Sequence, residues 1–462
     1  MLEFRLEPST LSQDARRAEL RFRAFACLLG LAAGLHGLVY VPFAGHRLGD
    51  TGSYVRAASA IRHGSYTTRL GAVDITGLGI PGAARGSPER ETYRTLGYPL
   101  LLAATGGGGP GVPTDAIIGI QALLVGATTV VLTFLARRIW SARTALVAGA
   151  LTALDPFPKH YVTRILSEAL AGFLFAVSAY FFVRAWQERS GRWWAATGLA
   201  VGALTLTRPV FGLALPLAAI AALLARDGTR ERLGRLGAFA ATAAVLVVPW
   251  VGWTGAATGA PVLSSFGEGW NLLIAAHGEG YHRTAVQVEA SPAYLRDFNS
   301  VHRFAPSEER LRTDPDAHPR YLHRADVEQR RLATDLYLHR LRTEPLKVFW
   351  EIVYRSYFLW QAHEDWVQPS SLLPLLRGVD WLTLLLAAVG VALAIRRGGA
   401  AGALGIFLLA FTLVNGIHHV EARYAMPVRG LYLAFVAPVL IDASRSARSG
   451  KKTPARTIGG VT

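Results

Sequence analysis

The chain has 462 residues, of which 51% are hydrophobic and only 17% are charged, and its formal net charge is +16. A soluble protein of this length needs a more strongly charged surface, so the composition excludes an ordinary soluble enzyme. The basic residues flank apolar runs of about 20 residues, the length of a membrane span, so we expect membrane lipids and no nucleic acid as partners. The single cysteine, Cys27, excludes an intrachain disulfide framework.

Ten apolar segments are candidates for membrane spans. The first follows a basic N-terminus and is too long for the core of a signal peptide, which indicates an uncleaved span. The third and fifth are short, and we consider them candidates for broken or re-entrant helices. The segments lie at 22–43, 116–137, 143–158, 165–186, 193–207, 209–225, 235–256, 373–395, 400–417 and 424–442.

Loop charges predict the orientation. If the N-terminus is cytoplasmic, the inner segments carry 22 Lys or Arg residues. The short outer loops then carry only four, which are Lys159, Arg164, Arg208 and Arg423. The positive-inside rule therefore places both termini in the cytoplasm and the two long segments, 44–115 and 257–372, outside.

Residues 345–361 resemble an eleventh span but carry Lys347, Glu351 and Arg355 at four-residue spacing, on one helix face. Aromatic residues cover much of the remaining surface, which favours a helix lying in the membrane interface.

The chain is thus predicted to be an all-α polytopic membrane protein with 10–11 transmembrane helices. We expect amphipathic juxtamembrane helices in the first outer loop and a larger outer segment before the last three spans. The predicted organisation is a transmembrane module over 1–256, an outer segment over 257–372, C-terminal spans over 373–444 and a disordered basic tail over 445–462.

The first outer loop contains two notable charged residues. Asp50 stands at the membrane exit of the first span, just before an amphipathic stretch that includes Tyr54. Asp is favoured at helix N-caps, so capping is the stronger alternative and catalysis the other. Arg94 precedes Gly97 and Pro99, which mark a turn into an apolar helix, and it suits pairing with a carboxylate or a phosphate.

Glu168 lies at the outer end of the fourth span, where a carboxylate is costly unless it is paired or hydrated. A salt bridge to Arg164, four residues earlier, and a catalytic role are equally supported. Arg208, at the next outer turn, either reaches lipid headgroups or clamps a ligand phosphate.

The last short outer loop reads His418-His419-Val-Glu421-Ala-Arg423-Tyr424. Its histidines and glutamate leave a divalent metal open, although the spacing matches no strong metal motif, and anion binding by Arg423 is favoured. Nucleotide, GxSxG and HExxH motifs are missing from the sequence, so we expect a substrate delivered on a lipid.

In their order along the chain, these motifs resemble those of the GT-C integral membrane glycosyltransferases. The resemblance is closest to bacterial relatives of protein O-mannosyltransferases and lipid A aminoarabinose transferases, and it covers 22–280 well. The matching pieces are Asp50 with Tyr54, RTxGYPLLLA from Arg94 to Ala103, PxxxxYxxxxLSE from Pro156 to Glu168, TRP from Thr207 to Pro209, GWNL from Gly269 to Leu272 and ExRYxxP from Glu421 to Pro427.

The resemblance implies an inverting glycosyltransferase at the extracytoplasmic face of the bacterial inner membrane. It would move a sugar from a polyprenyl-phosphate donor to a glycan, lipid or protein acceptor in cell-envelope assembly. Asp50 would be the catalytic base, with Asp155 or Glu168 as the second acidic residue. Thr51 stands where protein mannosyltransferases have a second carboxylate, which counts against a protein acceptor.

The resemblance also implies the binding residues. The donor phosphate would contact Arg94, Arg208, Arg423 and Tyr424, and the substrates would contact Tyr54, Tyr98, Lys159, His160, Asn271, His418 and His419.

A lipid-linked-glycan transporter or flippase and an O-antigen polymerase or ligase are the alternatives. Nearly uncharged span centres count against transport, since transporters place polar groups at mid-membrane. The strong motif in the first loop, rather than in the large loop, counts against a polymerase.

Overall fold

The computed structural model describes residues 13–41, 50–69, 86–106, 114–224, 228–280, 283–361 and 373–449. These residues form nineteen α-helices and one antiparallel pair of short strands, β1 (Thr67–Arg69) and β2 (Pro88–Arg90). The helices are α1 (Gln13–Leu38), α2 (Thr51–Arg62), α3 (Gly97–Ala104), α4 (Thr114–Ile139), α5 (Ala142–Leu154), α6 (Pro156–His160), α7 (Glu168–Glu188), α8 (Gly191–Thr205), α9 (Ala214–Leu224), α10 (Thr229–Thr258), α11 (Glu268–Ala276), α12 (Ala285–Glu289), α13 (Pro292–Asn299), α14 (Glu308–Thr313), α15 (Ala317–Thr343), α16 (Pro345–Phe358), α17 (Leu373–Arg397), α18 (Gly399–Ile417) and α19 (Arg429–Ser449). Short 3₁₀ turns cover Tyr161–Thr163, Pro209–Leu213, Ser300–Phe304 and Ala422–Val428.

Membrane-spanning helices account for much of the chain. Among the described residues, six helices are long and apolar enough to cross a bilayer, and they cover Asp115–Ile139, Glu168–Glu188, Thr229–Thr258, Arg377–Arg397, Gly399–Ile417 and Ala422–Ser444. The chain is therefore an all-α polytopic membrane protein, as predicted. The other four predicted spans also fall on helices, but α1 carries charges along its first three turns, and α5, α8 and α9 are short. The total of ten spans stays a prediction.

Apolar side chains face outward on these helices. Leu123, Leu224, Val245 and Leu385 are each more than 60% exposed, as expected where lipid covers the protein. Glycines allow neighbouring helices to approach closely: a Cβ on Gly126 of α4 would lie 2.7 Å from the carbonyl oxygen of Gly30 on α1.

The first long loop and the segment after α10 pack against each other on one side of the spans. The β2 residue Arg90 donates its backbone N–H to Pro315 at 3.0 Å. Glu89 Oε2 lies 2.6 Å from His318 Nδ1 at the start of α15, and Trp253 Nε1 at the end of α10 donates to the Glu91 carbonyl at 2.9 Å. This side, which we call the Asp50 side, is the predicted outer side.

Helix α16 buries its charged face and exposes its apolar face, the reverse of an amphipathic helix whose charged face meets water. Glu351 and Arg355 of its charged face are buried in the protein, whereas Leu346, Phe349 and Trp350 are more than half exposed. The charges bind protein partners, and the aromatic face is the one left for lipid. Its interfacial location stays a prediction.

The last helix continues beyond the predicted end of the final span, to Ser449. The remainder of the predicted tail, 450–462, lies outside the described residues, as do 42–49 before Asp50.

Candidate active site

Asp50 occupies the N-cap position of α2, yet its side chain makes no capping hydrogen bond. Its Oδ1 accepts a hydrogen bond from Arg94 Nη2 at 2.6 Å, and its Oδ2 accepts one from Arg423 Nη1 at 3.2 Å. The carboxylate is therefore held between two guanidinium groups, one from the first long loop and one from the last short loop. Of the two alternatives that the sequence leaves open, side-chain capping is not what the structure shows.

The two arginines determine the ionisation of Asp50. Burial raises the pKa of its carboxyl, but Arg94 and Arg423 together outweigh burial and lower this pKa to about 2. Asp50 is thus fully ionised near neutral pH, and its side chain keeps 29% of its surface exposed. An ionised carboxylate that remains accessible can accept a proton from an incoming group.

Arg94 is fixed by its surroundings in the first loop. Its Nε donates to Ser53 Oγ at 2.7 Å, and its guanidinium lies 4.5 Å from the ring centre of Tyr54 and 4.3 Å from that of Tyr93. The Glu91 carboxylate accepts the backbone N–H groups of both Tyr93 and Arg94 at 2.8 Å. Glu91 therefore shapes the turn that carries Arg94.

Gly97 joins this turn to the turn that carries Arg208. Its backbone N–H donates to the Leu206 carbonyl at 2.7 Å, and a Cβ at position 97 would lie only 2.8 Å from that same oxygen. Such a contact is closer than van der Waals packing permits, so glycine is required here. The two motifs predicted to contact phosphate are thereby held side by side.

Glu168 pairs with Arg208, not with Arg164. Arg208 Nη1 lies 2.8 Å from Glu168 Oε1, and Glu168 Oε2 is buried without a hydrogen-bond partner. Of the two alternatives that the sequence leaves open for Glu168, the salt bridge to Arg164 is not what the structure shows. Arg164 has extended backbone and precedes α7, so it does not share a helix face with Glu168. Arg164 instead contacts His160 Nε2 at 2.8 Å.

Arg423 and Tyr424 complete the centre. Glu421 accepts hydrogen bonds from Arg423 Nε and Nη2 and from the Tyr424 hydroxyl. The guanidinium groups of Arg208 and Arg423 lie 5.5 and 5.7 Å from the ring centre of Tyr424. All four predicted phosphate-binding residues thus meet at Asp50 and Glu168. We call the set Asp50, Arg94, Glu168, Arg208, Glu421, Arg423 and Tyr424 the arginine centre.

Tyr54 belongs to the same region. Its hydroxyl donates to Ser167 Oγ at 3.2 Å, next to Glu168, and its ring contacts Tyr98 edge-on at 5.0 Å. Tyr98 itself is fully buried, and its hydroxyl donates to Gln121 Oε1 at 3.0 Å. Tyr98 therefore supports Tyr54 and offers no surface to a substrate in this structure.

Asp155 lies in a separate cluster. Its Oδ2 accepts a hydrogen bond from Arg429 Nε at 2.6 Å, and its Oδ1 caps α6 through the Phe157 N–H. Asp380 contacts Arg429 as well, at 3.7 Å. Both oxygens of Asp155 are occupied by structural partners, so we reinterpret this predicted catalytic residue as one that joins helices.

The predicted substrate residues Lys159 and His160 also have local partners. Lys159 is fully buried and donates to the Thr152 carbonyl. His160 contacts Arg164, and its ring packs against Tyr40 and Tyr161. Neither residue contacts the arginine centre through these interactions.

The last short loop separates its two histidines. His418 Nδ1 contacts the Val414 carbonyl at 2.8 Å, whereas the buried His419 contacts Glu279 Oε1 at 2.7 Å and donates its backbone N–H to the Asn271 carbonyl. The part of the chain that the structure describes contains no group of three or more His, Cys, Asp or Glu side chains arranged to hold a metal.

Sequence reasoning assigned no role to Glu91 or Glu279. Glu91 was detectable in principle, because it lies three residues before Arg94 in the same motif. Glu279 was not, because its partner His419 is 140 residues away in the chain.

The arginine centre does not line the large cavity near α16. That cavity, of about 980 Å³, lies where α15, α16 and α17 meet, and Arg340, Trp350, Tyr357 and Trp381 are among its lining residues.

The sequence of part of the chain matches that of a known family of membrane enzymes. Residues 110–253, less than half of the chain, match the sequence model of the dolichyl-phosphate-mannose-protein mannosyltransferase family. No curated protein sequence matches the chain.

Among solved structures, the chain is similar to the oligosaccharyltransferase AglB from Archaeoglobus fulgidus in complex with an inhibitory peptide and a dolichol-phosphate. The TM-score is 0.53 at 14% identity, over 98% of this chain and 53% of that one. The apo form of the Archaeoglobus fulgidus oligosaccharyltransferase gives 0.52 at 13% identity, over 98% and 54%. ArnT from Cupriavidus metallidurans bound to undecaprenyl phosphate gives 0.38 at 15% identity, over 93% and 81%.

The protein therefore has the fold of the GT-C superfamily of membrane glycosyltransferases. It spans about half the length of the archaeal enzymes that it resembles.

Proposed function

We propose that this protein is an inverting glycosyltransferase that uses a polyprenyl-phosphate-linked sugar on the Asp50 side of a bacterial inner membrane. The observation that carries the proposal is the arginine centre, where three arginines from three separate loops pair with Asp50 and Glu168, and where the Asp50 carboxylate remains accessible. The matching family sequence and the shared fold support the same reaction class.

The arginines suit the leaving group. A polyprenyl-phosphate sugar carries one negative charge on its phosphodiester, and the released polyprenyl phosphate carries a second. Preorganised cations lower the barrier most where charge grows during the reaction. The side chains of Arg94, Arg208 and Arg423 are only partly exposed, and each is already oriented by carboxylate or aromatic partners, so little reorganisation is needed.

Asp50 is the proposed base. It accepts the proton of the acceptor hydroxyl while that oxygen bonds to the anomeric carbon, and the phosphate oxygen leaves with the electrons of the broken glycosidic bond. A general base of this kind contributes typically ~10²–10⁴-fold to the rate. Direct displacement by the acceptor inverts the anomeric carbon, as in glycosidases that lack a nucleophilic carboxylate.

Donor binding and base strength are coupled in this arrangement. Arg94 and Arg423, which lower the pKa of Asp50, are also the groups that would bind the donor phosphate. When a phosphate oxygen accepts a hydrogen bond from Arg94 or Arg423, that arginine interacts less strongly with Asp50, and the pKa of the Asp50 carboxyl rises. Asp50 thus becomes a stronger base once the donor is in place.

Glu168 is proposed to hold Arg208 rather than to react. Glu168 is 2% exposed and pairs with Arg208, so it keeps the Arg208 guanidinium in place against the Tyr424 ring. A polyprenyl-phosphate mannose is the first donor to test, because the matching family is named for a mannosyl donor.

Analysis of a deletion strain tests the proposal. Mass spectrometry of its lipids and envelope glycans should show loss of one sugar from a product and accumulation of the unmodified acceptor. Wild-type protein and D115N should restore the product, and D50N should not. Asp115 is the matched control because it is an exposed carboxylate in the first turn of α4. Restoration by D50N, or unchanged glycans in the deletion strain, would contradict the proposal.

A further inference from the structure

The loop between α18 and α19 brings Arg423 to Asp50, and the segment after α10 holds this loop at several points. The Gly416 carbonyl accepts a hydrogen bond from Arg355 Nε at 2.7 Å, and the Ile417 carbonyl accepts one from the Tyr337 hydroxyl at 2.6 Å. Arg355 also donates to the Tyr337 hydroxyl, at 2.7 Å. The start of the loop is therefore fixed by α15 and α16.

His419 is the next point of attachment. Its backbone N–H donates to the Asn271 carbonyl of α11 at 2.9 Å, and its Nδ1 lies 2.7 Å from Glu279 Oε1. Its Nε2 faces the other way, 3.9 Å from Glu421 Oε1. One imidazole ring thus stands between a carboxylate of the outer segment and the carboxylate that binds Arg423.

Glu279 is held firmly enough to act as an anchor. Arg355 Nη1 donates to its backbone carbonyl, so the same arginine fixes both Glu279 and Gly416. The side chain of Glu279 is buried, and its Oε2 lacks a hydrogen-bond partner. The contacts therefore run from Glu279 through His419 and Glu421 to Arg423 and Asp50.

We propose that the Glu279–His419 pair is a positioning pair for the transfer reaction: protonated His419 holds Glu421, which in turn orients Arg423 for the donor phosphate. This inference rests on the proposed function and assigns His419 a supporting role in place of the predicted substrate contact. The pair would make donor binding depend on how the outer segment is seated on the membrane helices.

The charges around His419 favour its protonated form. Burial lowers the pKa of the imidazole, but the hydrogen bond to Glu279 and the charges of Glu279, Glu421 and Glu289 outweigh burial and raise it. The attraction between His419 and Glu421 is therefore present at low pH and is lost as the pH rises through this raised pKa. Neutral His419 presents a lone pair to Glu421 and no longer holds it.

Binding of undecaprenyl phosphate to the purified full-length protein in detergent tests the inference without requiring turnover. We compare the wild type with H419Q, which cannot become charged, at about pH 6 and about pH 9. At the lower pH the wild type should bind the lipid about 10-fold more tightly than H419Q, because the charges of His419, Glu421 and Arg423 are energetically coupled. At the higher pH the two proteins should bind it equally. Protonation of the lipid affects both proteins alike, so the ratio reports His419.

H277Q is the matched control. His277 is similarly buried and lies in the same outer segment, but its side chain pairs with Asp297 at 3.1 Å rather than with the loop between α18 and α19. H277Q should bind undecaprenyl phosphate like the wild type at both pH values, and a purely structural effect of losing a buried histidine would appear in both variants.

Three outcomes overturn the inference. If the ratio of the wild-type and H419Q affinities for undecaprenyl phosphate does not change with pH, the charge of His419 does not contribute to binding. If H277Q weakens binding as much as H419Q does, the effect of H419Q is a general loss of folding. In these two cases the proposed function survives if D50N still abolishes transfer. Failure of the wild type to bind the lipid phosphate overturns the proposed function and the inference together.

Discussion

Arg429 offers a sharp test of how the Asp155 cluster is interpreted. Its guanidinium joins three parts of the protein: Nε binds Asp155 at the end of α5, Nη1 binds the Trp360 carbonyl at 3.0 Å, and Nη2 lies 3.7 Å from Asp380 on α17. The three side chains are each at most 6% exposed. This cluster holds helices together around the buried Arg429 guanidinium.

Replacing Arg429 by Met should be severe. It removes the guanidinium that pairs with two buried carboxylates, and breaking a buried pair in this way costs about 3–5 kcal/mol. D155N should cost less, about 1–3 kcal/mol, because the amide oxygen can still accept the Arg429 hydrogen bond. The double variant D155N/R429M should be less unstable than the sum of the single changes, since it removes one stranded charge.

Unfolding in detergent, followed by tryptophan fluorescence, measures these differences, and sugar transfer is measured on the same samples per folded molecule. The midpoints should fall in the order wild type, D155N, R429M. Folded D155N should transfer sugar within about threefold of the wild type, because replacing a residue that only joins helices lowers the stability of the protein more than the rate of the reaction. A D155N variant that unfolds like the wild type but transfers no sugar would refute this reasoning and make Asp155 catalytic.

Three further changes probe the arginine centre. R208K keeps the charge opposite Glu168 but loses the planar fork, so the KM for the donor should rise about 10-fold, and an unchanged KM would exclude Arg208 from phosphate binding. G97A forces the turn away from Leu206, so transfer should fall by more than about 10-fold while the protein stays folded, and full activity would show that the two turns need not touch. Burial, with a smaller contribution from a neighbouring carboxylate, raises the pKa of Glu91 to about 7, so its ionisation opposes folding as pH rises from about 4 to 7. E91Q should therefore unfold at a higher temperature than the wild type at about pH 8 and like it at about pH 4, and the opposite order would contradict the buried-acid argument.

The membrane helices were predictable because their signal is local. An apolar run of about 20 residues must cross a bilayer as a helix, whatever its neighbours are. Sidedness then placed Asp50, Arg94, Arg208 and Arg423 on one side of the membrane, and the structure brings these four together. Topology and motif order alone therefore predict that these four residues lie on the same side.

Pairing within the group could not be predicted, because it depends on backbone shape at turns. Glu168 and Arg164 are four residues apart, but the chain becomes helical only at Glu168, so the spacing places them on no common face. His419 similarly resembled a ligand-binding residue in a polar loop, and only the fold reveals Glu279 beside it.

The charged stripe of α16 shows the same limit of sequence patterns. Its four-residue spacing correctly puts Glu351 and Arg355 on one face, but an amphipathic pattern does not say whether that face meets water or protein. Here Arg340 binds Glu351 at 2.7 and 2.9 Å, so the polar face is internal.

The most direct test of the central claim is the turnover of purified D50N in proteoliposomes, with the donor that the deletion strain identifies. The amide keeps the size of Asp50 but cannot accept the proton of the acceptor hydroxyl. We predict that D50N loses transfer by about 10²- to 10⁴-fold, while D115N retains it and both proteins unfold like the wild type. Turnover by D50N within about threefold of the wild type would contradict the assignment of Asp50 as the catalytic base.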